Sequence, residues 1–248
     1  MPETKLDVAG ADGTAEGFLY TPAEAGGEAW PGVLYLTDIW GIRPASQAMA
    51  QRVADAGYAV LMPNIFYRSD ALPIMPPGEP DTKDPEVLRR LSHLLAAVNA
   101  DQMRRDGAAY AEFLEALPQV DGKKIAVVGY CFTGQFALRT AAAAPEFVAA
   151  AASFHGGQLV TEAPDSPHTE LPKVKGELYF GHAMEDQSMP PAAIEKLDDA
   201  LKGWGGVYQS EIYEARHGWS VPGRPVYDEA QAERHYRKLF DLLKRTLG

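Results

Sequence analysis

The sequence predicts an α/β fold in which helices cover both faces of a mostly parallel central sheet. Along the whole chain of 248 residues, short apolar runs alternate with longer amphipathic segments. The short runs are apolar at consecutive positions, which is typical of strands buried on both faces. The amphipathic segments between them are predicted as the helices that connect parallel strands. No shift in composition marks a boundary, so we expect residues 1–248 to form a single domain.

Six apolar runs are predicted as strands of the parallel sheet. They cover residues 31–37, 58–62, 124–129, 148–154, 177–181 and 207–213, of which the last has the least regular pattern. Turn residues or prolines follow several of them, as expected where strands end. Residues 5–21, with a turn at 10–13, are predicted to add an antiparallel hairpin at the edge of the sheet.

Helices are predicted between these strands from the spacing of apolar residues and from the glycines and prolines at their ends. They cover residues 46–56, 85–117 (as two helices), 135–144, 191–201 and 228–247. The last is amphipathic, with Tyr236, Leu239 and Leu243 on one face. Residues 68–85 are rich in proline and acidic residues, so we expect them to form an excursion over one end of the sheet.

The balance of charges argues against two classes of partner. The chain has 23 Lys and Arg residues against 34 Asp and Glu residues, a net charge of −11. Nucleic acids and anionic membranes bind clustered basic residues, so we expect neither as a partner. The N-terminus lacks the pattern of a signal peptide, and no apolar stretch reaches the roughly 18 residues of a membrane span. We therefore expect a cytoplasmic protein, either a monomer or a homodimer.

Residues 125–135, with the sequence IAVVGYCFTGQ, place the single cysteine of the chain where a buried strand turns directly into a helix. The small residues Gly129 and Thr133 flank Cys131 at two positions on either side, as in the sharp turn called a nucleophile elbow. The helix N-terminus stabilises a thiolate, and the N–H of Phe132 is left to face a developing oxyanion. A lone cysteine is more often a buried structural residue. Here the strand before it and the helix after it favour a nucleophile.

A thiol nucleophile needs an imidazole base, and the imidazole needs a carboxylate to orient it. Asp186 and His217 follow the last two predicted strands. The order Cys131, Asp186, His217 is the order of nucleophile, acid and base in α/β-hydrolases. Glu185 is a rival acid, and His155 is a rival base after the strand that ends at residue 154. The spacing alone leaves both choices open.

At this point the sequence resembles the dienelactone hydrolase family of α/β-hydrolases over nearly its whole length. The motifs that carry the resemblance are GYCFTG at 129–134, DIWG at 38–41, PNIFYR at 63–68, FHGG at 154–157, Asp186 with Pro190, and HGW at 217–219. The resemblance implies the α/β-hydrolase fold and a catalytic triad of Cys131, His217 and Asp186. It also selects Asp186 over Glu185 and His217 over His155.

Two further roles follow from the resemblance. The N–H of Ile39 is implied as a second oxyanion donor beside that of Phe132. In the family, an acidic residue just before this donor holds the resting thiol and releases it when substrate binds. That position is Asp38 here, where the family more often has glutamate.

The residues that contact the substrate are predicted less directly. Dienelactone hydrolases proper use arginines to bind a substrate carboxylate, one of them four residues after the catalytic histidine, and this position is Val221 here. Trp40 and Trp219 are expected to give an aromatic cleft, with Arg68 as a further substrate contact. The pattern therefore departs from the family where the substrate carboxylate would bind.

The resulting hypothesis is a hydrolase with a cysteine nucleophile that cleaves small carboxylic esters or lactones through a thioester acyl-enzyme. The mechanism requires neither a cofactor nor a metal. A metal hydrolase using His155, His182 and His217 is weakly supported, because the sequence lacks the close ligand spacing of such sites. The alternative from another functional class is a hydrolase-fold module that binds a small molecule or a partner without catalysis.

Overall fold

The computed structural model describes residues 3–23, 29–75 and 83–248. These residues form an eight-stranded sheet of strand order β1-β2-β4-β3-β5-β6-β7-β8. The strands are β1 (Glu3–Gly10), β2 (Gly13–Tyr20), β3 (Gly32–Leu36), β4 (Ala59–Pro63), β5 (Ile125–Tyr130), β6 (Val148–Phe154), β7 (Glu177–Glu185) and β8 (Tyr208–Arg216). The hairpin β1–β2 and the pair β2–β4 are antiparallel, and all other neighbours are parallel. The predicted mostly parallel α/β sheet is confirmed.

Helices cover both faces of this sheet. They are α1 (Pro44–Asp55), α2 (Pro85–Ala96), α3 (Ala100–Glu115), α4 (Thr133–Ala143), α5 (Pro191–Trp204) and α6 (Glu229–Leu247). Helices α1 and α6 contribute to the buried cluster on one face, and α2, α3, α4 and α5 contribute to the cluster on the other. No helix in the described ranges is long and apolar enough to cross a lipid bilayer.

The central strands explain why the strand signal in the sequence was a continuous apolar run. In β5, Val127 packs into one buried cluster, whereas Ala126 and Val128 pack into the other. Successive side chains of a strand point to opposite faces, so a strand covered on both sides must be apolar throughout. Burying one such valine contributes roughly 1.5 to 3 kcal/mol.

The predicted division of residues 85–117 into two helices is confirmed, and a capping box explains where the chain divides. The side chain of Asn99 accepts a hydrogen bond from the N–H of Gln102 at 3.0 Å. The side chain of Gln102 in turn accepts one from the N–H of Asn99 at 2.9 Å. This reciprocal pair satisfies two donors at the start of α3 that the helix itself cannot satisfy. The capping box therefore fixes Asn99 as the residue at which the link ends and α3 begins.

Two elements differ from the sequence-based expectation. Strands β7 and β8 continue to residues 185 and 216, several residues past their predicted ends. A 3₁₀ helix (Pro167–Lys173) was not predicted, because prolines at 167 and 172 are typical of loops. Of the predicted excursion over residues 68–85, residues 76–82 lie outside the described ranges.

The sheet brings four polar side chains to one edge. Each of the four neighbouring strands β5, β6, β7 and β8 is followed directly by such a residue, namely Cys131, His155, Asp186 and His217. The carboxyl ends of parallel strands meet at the same edge of a sheet, which is where ligands bind in open α/β folds. The segment after β3, which contains Asp38 and Ile39, reaches this edge as well.

Candidate active site

Cys131 lies in a sharp turn between β5 and α4. Its φ angle is +59°, in the left-handed region that a residue other than glycine seldom adopts. A side chain at Gly129 would overlap the carbonyl oxygen of Thr133, so the chain can turn this tightly only with glycine there. The hydroxyl of Thr133 accepts a hydrogen bond from the N–H of Tyr130 at 2.8 Å and holds the turn closed. The strained turn lifts the Cys131 thiol above the edge of the sheet.

The structure brings Cys131, His217 and Asp186 together in one hydrogen-bonded chain. The Nε2 atom of His217 lies 3.1 Å from the Sγ atom of Cys131. Its Nδ1 atom lies 2.6 Å from Oδ2 of Asp186. Both separations are within the reach expected for a nucleophile, its base and the group that orients the base. The other carboxylate oxygen of Asp186 accepts hydrogen bonds from the N–H and the hydroxyl of Ser188, at 2.8 and 2.6 Å.

The electrostatics of this chain favour a proton on His217. Burial alone disfavours an imidazolium, but the hydrogen bonds to Asp186 and Cys131 outweigh it and raise the pKa of His217 to about 10. Burial likewise opposes ionisation of Asp186, yet hydrogen bonds from His217 and Ser188 bring its pKa below the usual value. The site is therefore arranged to hold an imidazolium next to an ionised carboxylate.

Glu185, the rival acid, faces away from this site. Its carboxylate pairs with the Nε atom of Arg216 at 3.0 Å, and the two side chains are 67% and 72% exposed. The side chain of Asp186 is only 3% exposed. Neighbouring residues at the end of a strand point to opposite sides, so only one of the two carboxylates can reach His217. In the structure that carboxylate belongs to Asp186.

His155, the rival base, is buried behind Cys131 and braces its turn. Its Nδ1 atom accepts a hydrogen bond from the N–H of Cys131 at 3.1 Å, and its Nε2 atom lies 2.9 Å from the hydroxyl of Ser220. Because Nδ1 is an acceptor, the ring proton must be on Nε2. Burial, and the charge on nearby His217, lower the pKa of His155 well below its ordinary value. His155 thus joins the turn of Cys131 to the loop that carries His217.

The two predicted oxyanion donors border the same cleft as the thiol. Ile39 and Phe132 both line the cavity into which Cys131 and His217 project. Phe132 is the residue that precedes α4, and its ring stacks on that of Phe66 with centroids 6.0 Å apart. Within the described ranges, the N–H groups of Ile39 and Phe132 have no protein acceptor. They are available to a ligand oxygen.

Asp38 is engaged by a partner that the sequence analysis did not consider. Its two carboxylate oxygens accept hydrogen bonds from the guanidinium of Arg43 at 2.6 and 2.8 Å. One of them also accepts a hydrogen bond from the N–H of Trp40 at 3.0 Å. The side chains of Asp38 and Arg43 are both largely buried. Among the described residues no hydrogen bond joins Asp38 to Cys131, and the role of Asp38 in holding the thiol stays a prediction.

The three predicted substrate contacts have other roles in the structure. Trp219 is fully buried, stacked on Tyr213 and edge-on to the ring of His155. Trp40 is also buried, and Arg68 forms ion pairs with Asp106 and with an acidic residue of the β1–β2 turn. None of the three is among the residues that line the cleft. In the structure they support the fold around the site, and their contact with substrate stays a prediction.

The cleft itself has a volume of about 630 Å³, a typical size for a small-molecule site. Besides Cys131, His217, Ile39 and Phe132, it is lined by residues from the end of α2 to the start of α3, by residues of α4, and by residues between β6 and the start of the 3₁₀ helix. They include Leu95, Val98, Met103, Gln135, Arg139, Gln158, Ala163, Asp165 and Pro167. The sequence analysis missed them because the cleft is formed by segments that are far apart in the chain.

His182, a predicted candidate for a metal site, lies apart from this cleft. It is buried, and its Nε2 atom is 3.3 Å from the hydroxyl of Ser210. Burial lowers the pKa of His182 to about 4. Across the described ranges, no group of three or more His, Cys, Asp or Glu side chains is arranged to hold a metal ion.

The comparisons with known proteins agree with this architecture. A protein of Synechocystis sp. named "Putative carboxymethylenebutenolidase" is 27% identical over 251 aligned residues, which cover 100% of this chain and 95% of that protein. Hydrolase tropI of Talaromyces stipitatus is 30% identical over 77% of this chain and 71% of its own length. The crystal structure of a dienelactone hydrolase-like promiscuous phosphotriesterase from metagenomic libraries shares the fold. Its TM-score is 0.78 at 22% identity, over 99% of this chain and 98% of the other.

A sequence profile of the dienelactone hydrolase family matches residues 15–247. This match includes every strand from β3 to β8 and all the residues of the candidate active site. The chain therefore belongs to the dienelactone hydrolase family.

Proposed function

We propose that this protein hydrolyses carboxylic esters or lactones with Cys131 as the nucleophile. The observation that carries the proposal is the position of the His217 imidazole, 3.1 Å from the thiol on one side and 2.6 Å from Asp186 on the other. A structural cysteine has no need of a base that is itself oriented by a carboxylate. Membership of a hydrolase family supports the same activity.

In the first half of the reaction, the acyl group is transferred to sulfur. With the proton already on Nε2 of the His217 imidazolium, the Cys131 sulfur attacks as a thiolate and forms a bond to the carbonyl carbon of the substrate. The carbonyl oxygen becomes an oxyanion that the N–H groups of Ile39 and Phe132 face. Each such donor lowers the barrier by roughly 3 to 4 kcal/mol in comparable sites. His217 then protonates the leaving alkoxide as the carbon–oxygen bond breaks, and a thioester remains.

In the second half, water cleaves the thioester. His217 takes a proton from water, the hydroxyl oxygen attacks the thioester carbonyl, and the carbon–sulfur bond breaks. The released thiolate again lies beside the His217 imidazolium, as at the start. Asp186 keeps a proton on Nδ1 throughout and stabilises the imidazolium. His155 holds the N–H of Cys131 in place, so the turn keeps its geometry while the sulfur changes its charge.

The test is the hydrolysis of p-nitrophenyl butyrate by the wild-type protein and by Cys131→Ala. We expect the variant to lose at least about 10³-fold in kcat, the usual effect of removing such a nucleophile. A matched control is Glu185→Gln, since Glu185 is exposed and faces away from the site. Rapid quenching and mass spectrometry should detect a butyryl group on the wild-type chain and none on Cys131→Ala. Equal turnover by the two proteins would overturn the proposal.

A further inference from the structure

The cleft extends away from the thiol along the first turns of α4. Phe132, Gln135 and Arg139 all line it, and their spacing of three and four residues places them on one face of the helix. Arg139 is eight positions after Cys131, which corresponds to about 12 Å along a helix axis. The site is therefore a channel with the reacting thiol at one end and Arg139 at the other.

The wall opposite α4 is mostly apolar. The last turn of α2, the link and the first turn of α3 contribute Leu95, Val98 and Met103 in that order. The segment from the end of β6 to the start of the 3₁₀ helix contributes Ala163 and Pro167. A methylene group moved from water into such surroundings gains up to about four-fold in affinity. An extended chain advances about 1.3 Å per carbon–carbon bond, so a substituent of about eight carbons fills the channel.

The charges at the far end of the channel cancel. The guanidinium of Arg139 pairs with Glu170 and donates a hydrogen bond to the carbonyl oxygen of Asp165 at 2.7 Å. Glu170 also pairs with Arg104 at 2.9 Å, and Asp165 itself lines the cleft. Two arginines thus stand beside two acidic residues. Arg139 already has its counter-charge and offers no net attraction to an anion.

Every lysine and arginine of the chain lies in the described ranges, because residues 1–2, 24–28 and 76–82 contain none. Within these ranges, Arg139 is the one lysine or arginine that lines the cleft. A carboxylate brought into the channel would lose water against apolar walls, would meet no uncompensated lysine or arginine and would approach Asp165. Such a charge is unfavourable without a partner.

From this arrangement we propose that the cleft binds an uncharged ester or lactone with an extended substituent of about eight carbons lying along α4. We further propose that it discriminates against the same substrate with a carboxylate on that substituent. The inference rests on the proposed hydrolase function and specifies its substrate class.

The first experiment compares p-nitrophenyl octanoate with mono-p-nitrophenyl suberate, which has the same eight-carbon acyl chain ending in a carboxylate. We expect the wild-type protein to favour the octanoate by at least about 30-fold in kcat/KM, mainly through KM. Octyl acetate and 8-acetoxyoctanoate repeat the comparison with the chain on the alcohol side. A preference for the uncharged member in either series supports the inference. Equal values in both series, or a preference for the carboxylates, would overturn it.

p-Nitrophenyl butyrate separates this inference from the proposed function. If the butyrate is hydrolysed in a Cys131-dependent manner while the octanoate and the suberate do not differ, the function stands and the substrate class is wrong. If no ester is hydrolysed in a Cys131-dependent manner, both are wrong.

Variants of the channel provide a second test. Gln135→Trp would fill the channel about one helical turn beyond the thiol, and Ala163→Trp would fill it from the opposite wall. In each we expect the ratio of octanoate to butyrate hydrolysis to fall at least ten-fold. Gln135→Arg would add a cation without a partner and should raise the ratio of suberate to octanoate. Gln119→Trp, at an exposed position outside the cleft, is the matched control. Unchanged ratios in folded channel variants would contradict the placement of the substituent.

Discussion

Two histidines at the edge of the sheet, His155 and His217, have ring centroids only 5.1 Å apart and opposite electrostatic environments. Each directly follows a parallel strand. His217 has the carboxylate of Asp186 at one ring nitrogen and the thiol of Cys131 at the other, and its pKa is raised to about 10. His155 is buried between a backbone N–H and a hydroxyl group, and its pKa is well below the ordinary value.

The difference shows that the partners of the ring nitrogens decide what a histidine does here. An acidic partner on each side allows His217 to gain and lose a proton near the reacting sulfur. Neutral partners and complete burial fix His155 in one tautomer, which suits a structural hydrogen bond. Both rings belong to histidines that directly follow a parallel strand. Neither the residue type nor its position after a strand therefore distinguishes the two roles.

The largest expected effect comes from removing each histidine in turn. His217→Gln should lower kcat/KM for p-nitrophenyl butyrate by about 10³-fold, because the general base is lost. His155→Gln should lower it by about ten-fold or less, because the glutamine oxygen can still accept a hydrogen bond from the N–H of Cys131. The measurement is kcat/KM of both variants from steady-state kinetics. A larger loss in His155→Gln than in His217→Gln would reverse the two roles.

The next largest effect is expected at the carboxylate that orients His217. Asp186→Asn should lower kcat by about 10²-fold or more, since an amide no longer fixes the tautomer or stabilises the imidazolium. Glu185→Gln is the matched change at the neighbouring position and should alter kcat by less than two-fold. A comparable loss in both variants would show that the two carboxylates are not distinguished as the structure indicates.

The raised pKa of His217 can be observed directly by NMR. In the wild-type protein, the ring signals of His217 should remain those of an imidazolium as the pH rises from 6.5 and should change only near pH 10. Cys131→Ala removes one of the groups that raise this pKa, so the change should move to lower pH. The signals of His155 should stay those of a neutral ring throughout, because its pKa is lowered. A His217 titration near pH 6.5 in the wild type would contradict the electrostatic difference between the two rings.

The smallest expected effect concerns the brace behind the nucleophile. Ser220→Ala removes the group that accepts the Nε2 proton of His155 and leaves this buried donor unpaired. We expect the free energy of unfolding in urea to fall by about 1 to 3 kcal/mol. Ser92→Ala, at an exposed hydroxyl of α2, is the control and should change it by less than about 0.5 kcal/mol. A loss of stability no larger than that of the control would show that the brace contributes nothing.

Most of the fold could be predicted because its signals are local. Strands buried on both faces leave continuous apolar runs, as in β3, β4 and β5, and such runs can be recognised without knowledge of their neighbours. The clustering of Cys131, Asp186 and His217 could be predicted for a related reason. Each of Cys131, Asp186 and His217 directly follows a strand, and parallel strands bring their ends together.

The partners of the residues expected to contact substrate could not be predicted, because they depend on pairings between distant segments. Arg68 was expected at the cleft but pairs with Asp106, 38 positions away. Trp219 was expected there too, yet it packs against Tyr213 of β8 and against His155, which directly follows β6. An arginine or a tryptophan after a strand has the same sequence signal whether it faces a ligand or the core. Only the packing of the loops decides which.

The ion cluster of Arg104, Arg139 and Glu170 at the far end of the cleft limits which of these residues can change without loss of stability. Loss of Glu170 would leave the buried guanidinium of Arg139 without a carboxylate, and breaking a buried pair costs about 3 to 5 kcal/mol. That is a large part of the 5 to 15 kcal/mol that typically keeps a protein folded. Positions such as Gln135 and Ala163 carry no such penalty. Lineages that adapt to shorter or longer substrates should therefore vary along the walls of the channel while its end stays the same.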